Sequence, residues 1–384
     1  MNILIFSEDF PPHDGGIAQW AIGIATSLHK LGHTPFVYSR YRPDLKQTPY
    51  EPISFGHFPV VKRHWKKWRT FYWAETLRKH LRKTEAPEMI IATTWNVARG
   101  LVPLCRKRNI KLITVVHGFE VTRTMAHLKK LWLTRTLQAS TMVVAVSHFT
   151  KARVLQRLKN VDTPIVVLPN GVDPARFSSN LSINFLKDRH RLKDEKIILT
   201  LSRILPRKGH SQVIRALPEL LVSFPKLKYI IAGKWKEPFC HELMTLAEKL
   251  KVHKHLLFTG YIAPKEIAAY YNLCDVYVMA SRELKHKGDI EGFGITFLES
   301  NACGKPVIGG NSGGTTDAII DGKTGFLVDP HSVDEIREKI KMILDDEALA
   351  RELGNNGRER VASLYNWDLI ANRLLKAFHE SGHH

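Results

Sequence analysis

Cysteine is scarce in this chain of 384 residues: there are four, Cys105, Cys240, Cys274 and Cys303, and no two form a C-x-x-C pair. Such scatter excludes a disulfide framework and a zinc cage of paired cysteines, and leaves the thiols as small buried hydrophobes. Long apolar runs are missing too. None exceeds five residues, as in Met142–Val146, against the roughly 20 that a membrane-spanning helix needs. The opening MNILIFSEDF has no basic leader and reaches Glu8 and Asp9 at once. It is therefore expected to be the first strand of a fold, not an export signal, which points to a cytoplasmic protein. Repeats, low-complexity tracts and metal-ligand spacings are also lacking. With 44% apolar and 24% charged side chains the chain is globular, and its length suits two domains.

Acidic residues are short in one half only. Residues 1–190 hold 29 Lys and Arg against 12 Asp and Glu, an excess of +17, whereas residues 191–384 hold 28 against 25, an excess of +3. A basic surface of that size implies an anionic partner: nucleic acid, an acidic membrane face or a phosphorylated substrate.

Hydrophobic periodicity gives the organisation. Asn2–Ser7 reads as a buried strand, Ile17, Ala21, Ile24, Leu28 and Leu31 as one helix face, and Phe36–Ser39 as the next strand, a βαβ unit. Short apolar runs recur at Met89–Ala92, Leu112–Val116, Met142–Val146 and Ile165–Leu168. Between Asp173 and Asp194 the pattern turns polar, and a second series begins at Ile197–Ser202. Strands are expected at 228–232, 256–259, 275–279 and 306–309, helices at about 209–223, 239–251, 264–273 and from Gly292, and a largely helical tail past Gly325. The expected fold is α/β: a Rossmann-like domain over 1–175, a hinge over 176–194, and a second Rossmann-like domain over 195–384 that includes the tail. Ligands of such sheets bind at the carboxyl ends of the strands, which makes the cleft between the domains the expected site.

Three stretches at strand ends can carry chemistry. Ser7-Glu8-Asp9-Phe10-Pro11-Pro12-His13-Asp14-Gly15-Gly16 precedes a helix, and adjacent glycines let backbone approach a phosphate at the helix start, although they also serve any turn that needs positive φ. Ser202-Arg203-Ile204-Leu205-Pro206-Arg207-Lys208-Gly209 puts Arg203 and Lys208 at a strand end, where cations stabilise a departing diphosphate. Asp289-Ile290-Glu291-Gly292-Phe293-Gly294-Ile295-Thr296-Phe297-Leu298-Glu299 sets two glutamates around a glycine-flanked helix start. The glycines expose helix N–H groups to phosphate or sugar oxygens, and Glu291 or Glu299 can bind a vicinal diol. A nucleotide sugar has two such diols.

In the order and spacing of these motifs, joined by Val116-His117-Gly118, Val146-Ser147, Pro169-Asn170-Gly171-Val172-Asp173, Ala302-Cys303-Gly304-Lys305-Pro306-Val307 and Gly313-Gly314, the chain resembles the retaining GT-B glycosyltransferases of family 4. The resemblance covers nearly the whole chain. In Glu8-Asp9-Phe10-Pro11-Pro12 it is most similar to bacterial phosphatidylinositol and mannolipid mannosyltransferases. It implies two Rossmann-like domains facing across a cleft and a nucleotide-diphosphate sugar as co-substrate, with no cofactor and no metal. Residue by residue it implies Glu299 on the ribose, Glu291 on the donor hexose, and the backbone of Gly292, Phe293, Gly294 and Ile295 on phosphate and sugar. Arg203 and Lys208 would hold the diphosphate with Gly15 and Gly16, His117 would sit near the donor sugar, and Asp9 on the acceptor side. The implied chemistry is transfer with retention, in which the leaving phosphate helps take the acceptor proton. GDP-mannose is the expected donor and a lipid-linked or phospholipid glycan the expected acceptor. A UDP-sugar enzyme acting on a small cytosolic acceptor is the alternative.

The segment 62–83 holds nine Lys and Arg, one Glu and three tryptophans. Trp65, Lys66, Lys67, Trp68 and Arg69 suit a lipid interface, and docking on the anionic inner face of the membrane is expected from them. A solvated charged face is the other reading. Nucleic acid also suits interleaved bases and aromatics, but no nucleic-acid module accompanies them, and none is expected as a partner.

Overall fold

The computed structural model describes residues 1–11, 15–39, 54–57, 69–82, 85–158, 162–284, 286 and 288–381. The chain divides into two compact units, residues 1–171 with 367–384 and residues 172–366. No helix among the described residues is long and apolar enough to cross a membrane.

The first unit runs β1 (Asn2–Ser7), α1 (Gly16–Lys30), β2 (Thr34–Ser39), β3 (Ser54–His57), α2 (Arg69–His80), β4 (Met89–Ala92), α3 (Trp95–Arg108), β5 (Lys111–Val116), α4 (Phe119–Thr122), α5 (His127–Gln138), β6 (Met142–Ala145), α6 (His148–Arg157) and β7 (Ile165–Val167). The strands form one parallel seven-stranded sheet in the order β3-β2-β1-β4-β5-β6-β7. Central strands such as Met89–Ala92 and Met142–Ala145 are buried at every position, the run of apolar residues expected where helices cover both faces. Ser147 caps α6 by accepting the Thr150 N–H at 2.9 Å.

The second unit runs α7 (Asn184–His190), β8 (Ile197–Leu201), α8 (His210–Ser223), β9 (Lys228–Ala232), α9 (Phe239–Lys249), β10 (Leu256–Gly260), α10 (Ile267–Leu273), β11 (Val276–Met279), α11 (Ile295–Ala302), β12 (Val307–Gly310), α12 (Thr315–Ala318), β13 (Gly325–Val328), α13 (Val333–Asp345) and α14 (Glu347–Leu364). Its six parallel strands lie in the order β10-β9-β8-β11-β12-β13. Each unit is thus a Rossmann-like α/β domain.

The course of the chain differs from expectation at three places. The polar stretch 176–194 contains α7 and lies within the second unit. β13 stands at the start of what was expected to be a largely helical tail, because its four residues are too short for a period to show. The last helix, α15 (Trp367–Ser381), belongs to the first unit. Its Trp367 ring fills the space over Gly23 and Gly171, and Asp368 accepts the Ser27 hydroxyl at 2.5 Å. Periodicity marks α15 as amphipathic but does not say which surface it covers.

Candidate active site

In the second unit, buried charges gather at the carboxyl ends of β8 and β11. After β8 the chain passes Ser202 and Arg203 and makes a 3-10 turn, Pro206–Lys208, before Gly209 opens α8. Gly209 has φ of 79°, and any Cβ there would collide with the Ala280 carbonyl beyond β11. Only glycine permits both the turn and the approach. The approach carries Arg207 and Lys208 to the loop before α11. Lys208 Nζ donates to Glu291 Oε2 at 2.5 Å, Arg207 Nη1 donates to the same oxygen at 2.7 Å, and Arg207 Nε lies 2.9 Å from an Asp289 carboxylate oxygen.

Both cations are buried and Glu291 is largely so. Burial alone would raise the Glu291 carboxyl, but Lys208 and Arg207 hold it well below the usual carboxylate range. Burial lowers the Lys208 ammonium to about 8 against the opposing pull of Glu291. It stays largely charged near neutral pH. Glu291 Oε1 has no partner among the described residues, and the exposed Arg203 side chain has none either.

The start of α11 is kept open by glycine. Gly294, with φ of 93°, is its N-cap and offers no side chain to the first amides, which leaves those N–H groups for an external acceptor. A second glycine loop clamps this one: Gly314 N–H donates to the Glu291 carbonyl at 2.8 Å, and a Cβ at Gly314 would collide with Gly292. Phe293 is buried behind the turn, its ring 6.0 Å from that of Tyr365. One turn into α11, buried Glu299 accepts the Tyr271 hydroxyl at 2.8 Å, and burial raises its carboxyl to about 7.

In the first unit a separate set of residues lies at the carboxyl ends of β1, β4 and β5. Gly15 and Gly16 are exposed, with nothing among the described residues close to where a Cβ would stand, and Gly15 has φ of 152°. Asp9 is half-buried, and its carbonyl accepts the Ser7 hydroxyl at 2.6 Å. His117 Nε2 lies 3.0 Å from the Thr93 carbonyl, which can only accept, so that nitrogen carries the proton and Nδ1 is the acceptor. Its backbone N–H donates to Glu120 at 2.5 Å and Trp20 stands edge-on at 6.3 Å. Burial lowers the imidazole to about 4, so it is neutral at physiological pH.

Within the second unit, then, Lys208, Glu291, Gly292, Phe293, Gly294 and Ile295 come together, with Arg203 and Glu299 on the flanking elements. Trp65–Trp68 lie outside the described residues, and of Arg69 only the backbone is described. Three participants escaped the sequence reading: Arg207, Asp289 and Tyr271. Arg207 stands beside Lys208 in the basic run, which was signal enough. Tyr271 lies in a helix 28 residues before Glu299 and has no local signal. The loop from Ser281 closes on itself through a Leu284–Asp289 bridge that presents Asp289 to Arg207. Among the described residues no group of three or more His, Cys, Asp or Glu is placed to hold a metal ion.

Residues 182–360 match the family model for glycosyl transferases group 1, and residues 14–176 that for glycosyltransferase family 4. A GDP-mannose-dependent alpha-(1-6)-phosphatidylinositol monomannoside mannosyltransferase of Mycolicibacterium smegmatis is 31% identical over 97% of both chains. This chain belongs to the family 4 glycosyltransferases. It is a hexosyltransferase of GT-B type, and its co-substrate is a nucleotide sugar. A glycogen synthase of Mycobacterium tuberculosis is 24% identical over 98% of this chain and 94% of its own. In fold, the sucrose-phosphate synthase of Thermosynechococcus elongatus matches with a TM-score of 0.81 at 22% identity, over 99% of this chain and 98% of that one.

Proposed function

We propose that this glycosyltransferase moves mannose from GDP-mannose, with retention, to a phospholipid or lipid-linked glycan acceptor at the inner membrane face. The observation that carries the reading is the full-length similarity, at 31% identity, to a mannosyltransferase whose donor is GDP-mannose and whose acceptor is a phosphatidylinositol mannoside. The geometry of the second unit supports a diphosphate-sugar donor. We assign Glu299 to the ribose hydroxyls and Glu291 Oε1 to a hydroxyl of the donor hexose. Arg203, Lys208 and the N–H groups of Gly292 to Ile295 meet the diphosphate. On the first unit we assign Gly15 and Gly16 to the diphosphate, His117 to the donor sugar and Asp9 to the acceptor.

As the bond from the anomeric carbon to the β-phosphate oxygen breaks, negative charge grows on that phosphate. Arg203, Lys208 and the helix N–H groups stabilise this charge more than that of the ground state, which is what lowers the barrier. Glu291 is already held by two cations, so it is a poor nucleophile. The acceptor hydroxyl attacks from the face the leaving group vacates, and its proton passes to the departing phosphate. The basic surplus of residues 1–190 and the segment Trp65–Arg69 favour an anionic membrane over nucleic acid as partner.

The second reading is a UDP-sugar enzyme with a small soluble acceptor; that the relatives include a glycogen synthase, whose acceptor is a saccharide and not a lipid, keeps a non-lipid acceptor in play. Thermal stabilisation by GDP, UDP, ADP and their sugar conjugates, compared with Glu299→Ala, decides the donor. Selective stabilisation by GDP-mannose that the substitution abolishes is expected. A shift with UDP-sugars alone, together with failure to float with anionic vesicles at low salt, would establish the second reading instead.

A further inference from the structure

The geometry points to a phosphate-binding subsite in the first unit, built by Arg99, Arg123 and Lys129 at the same sheet edge as His117. Arg99 lies one turn into α3, which follows β4, Arg123 ends α4, which follows β5, and Lys129 stands in the first turn of α5. All three are half-buried. Aromatic rings hold them in place: the Arg99 guanidinium carbon is 4.2 Å from the Trp132 ring centre and 5.1 Å from that of Phe71. Lys129 Nζ is 5.9 Å from the Trp95 ring, and Arg123 is 5.5 Å from that of Phe119.

None of the three has an ion pair or a side-chain hydrogen bond among the described residues. The neighbouring carboxylate, Glu120, accepts the His117 N–H and lies close enough to Arg123 for their charges to interact. The neighbouring cation, Arg157, is tied to the Val121 carbonyl at 2.7 Å. Burial, followed by the fields of Arg123 and Arg99, lowers the Lys129 ammonium, and burial also lowers the Arg99 guanidinium. Drawing a charge even part-way out of water is unfavourable without a counter-charge, and more so beside like charges. Here three like charges are gathered around one carboxylate, Glu120, whose field reaches Arg123 but which forms an ion pair with none of them, so among the described residues positive charge is in excess. A tetrahedral anion relieves their repulsion and takes up several of their N–H donors at once, the geometry in which arginine excels.

The rim of this cluster is apolar and exposed. Phe119, Leu128 and Trp132 are 46%, 55% and 38% exposed, and the last two stand four residues apart on one side of α5. An apolar rim around a cationic centre suits a phosphate mono- or diester that carries a chain. If the acceptor is a phosphorylated lipid, as proposed above, this is where its phosphate docks.

The test uses the full chain with GDP saturating, so that donor-site cations are occupied, and titrates inorganic phosphate by calorimetry at fixed ionic strength. Saturable binding is expected, weakened about tenfold or more by Arg99→Gln and by Lys129→Gln, since each removes a charge-assisted bond. Lys130→Gln, an exposed neighbour, is expected to change nothing. Lys129→Gln keeps the test readable should Arg99→Gln lose its packing on Trp132. Absence of saturable binding, or binding by both variants equal to that of the native chain, overturns the subsite. Glycerophosphoinositol and phosphatidylcholine vesicles with or without phosphatidylinositol then separate a soluble phosphodiester from a lipid headgroup. Whichever ligand loses affinity in Lys129→Gln names the source, and loss with neither overturns the proposal. Should GDP fail to stabilise the native chain, the donor reading fails by itself, and the phosphate titration still judges the subsite.

Discussion

Lys208 and Glu291, 83 residues apart in sequence, share one hydrogen bond of 2.5 Å in the interior of the second unit. Arg207 approaches the same oxygen, so one carboxylate faces two buried cations. Glu291→Gln removes the counter-charge and leaves both cations buried. Breaking such a pair from one side costs about 3–5 kcal/mol. Chemical denaturation of Glu291→Gln is expected to show a loss of that order, and Lys208→Met in the same chain should recover part of it, because the two sites couple. Equal stability of native chain and Glu291→Gln would mean that the triad is solvated in solution.

Two carboxylate and ammonium shifts together predict how donor affinity depends on pH. Glu299 is raised to about 7, so its charged form, which accepts ribose hydroxyls best, accumulates as pH rises through that value. Lys208 is lowered to about 8, so its attraction for diphosphate fades as pH rises further. GDP affinity is therefore expected to rise and then fall, with a narrow optimum between the two values, measurable by calorimetry across pH 5 to 10. Glu299→Gln should remove the rising limb and leave the falling one.

The same shift sets a stability slope. A carboxyl raised in the folded state binds its proton more readily there than in the unfolded chain. Its contribution is fully present below the ordinary carboxylate value and is lost as pH climbs toward about 7. The unliganded chain should melt at higher temperature at pH 5 than at pH 7.5 through this group, and Glu299→Gln should flatten that difference.

His117 offers a spectroscopic check. With its Nε2 proton donated to the Thr93 carbonyl and burial lowering the imidazole to about 4, the ring should stay neutral, in one tautomer, across the whole physiological range. Nitrogen chemical shifts of labelled histidine should show Nδ1 unprotonated at pH 6. A ring that titrates near the ordinary histidine value would remove Nδ1 as an acceptor for a sugar hydroxyl.

The Rossmann-like pattern was legible because buried parallel strands are continuous apolar runs, and β1, β4, β5 and β6 were found within a residue of their ends. β3, Ser54–His57, was not, because Ser54-Phe55-Gly56-His57 contains one large apolar residue and a glycine. In the site, glycines and charged residues at strand ends were readable because each is demanded by local geometry: Gly209 and Gly294 by positive φ, Lys208 by its place after β8. The partners that set their electrostatics were not readable. Asp289 meets Arg207 and Tyr271 meets Glu299 only through tertiary packing, and no spacing in sequence encodes a hydrogen bond between two helices.

The placement of α15 in the first unit makes a prediction whose sign runs against helix propensity. Gly23 lies inside α1, where glycine is ordinarily roughly 0.5–1 kcal/mol worse than alanine. By propensity alone, Gly23→Ala should stabilise the chain. A Cβ at that position, however, would run into the indole of Trp367, whose ring also fills the space over Gly171, with an atom 2.6 Å from where a Cβ there would stand. The indole is braced between two backbones and has nowhere to move without lifting the start of α15, where Asp368 holds Ser27. Overpacking of this kind costs typically about 1–3 kcal/mol, more than propensity returns. Gly23→Ala is therefore expected to lower the melting temperature. In a Trp367→Ala background, itself destabilised by the lost ring, the same substitution should raise it. If Gly23→Ala stabilises both backgrounds, the indole does not sit over α1 in solution, and α15 is not part of the first unit's core.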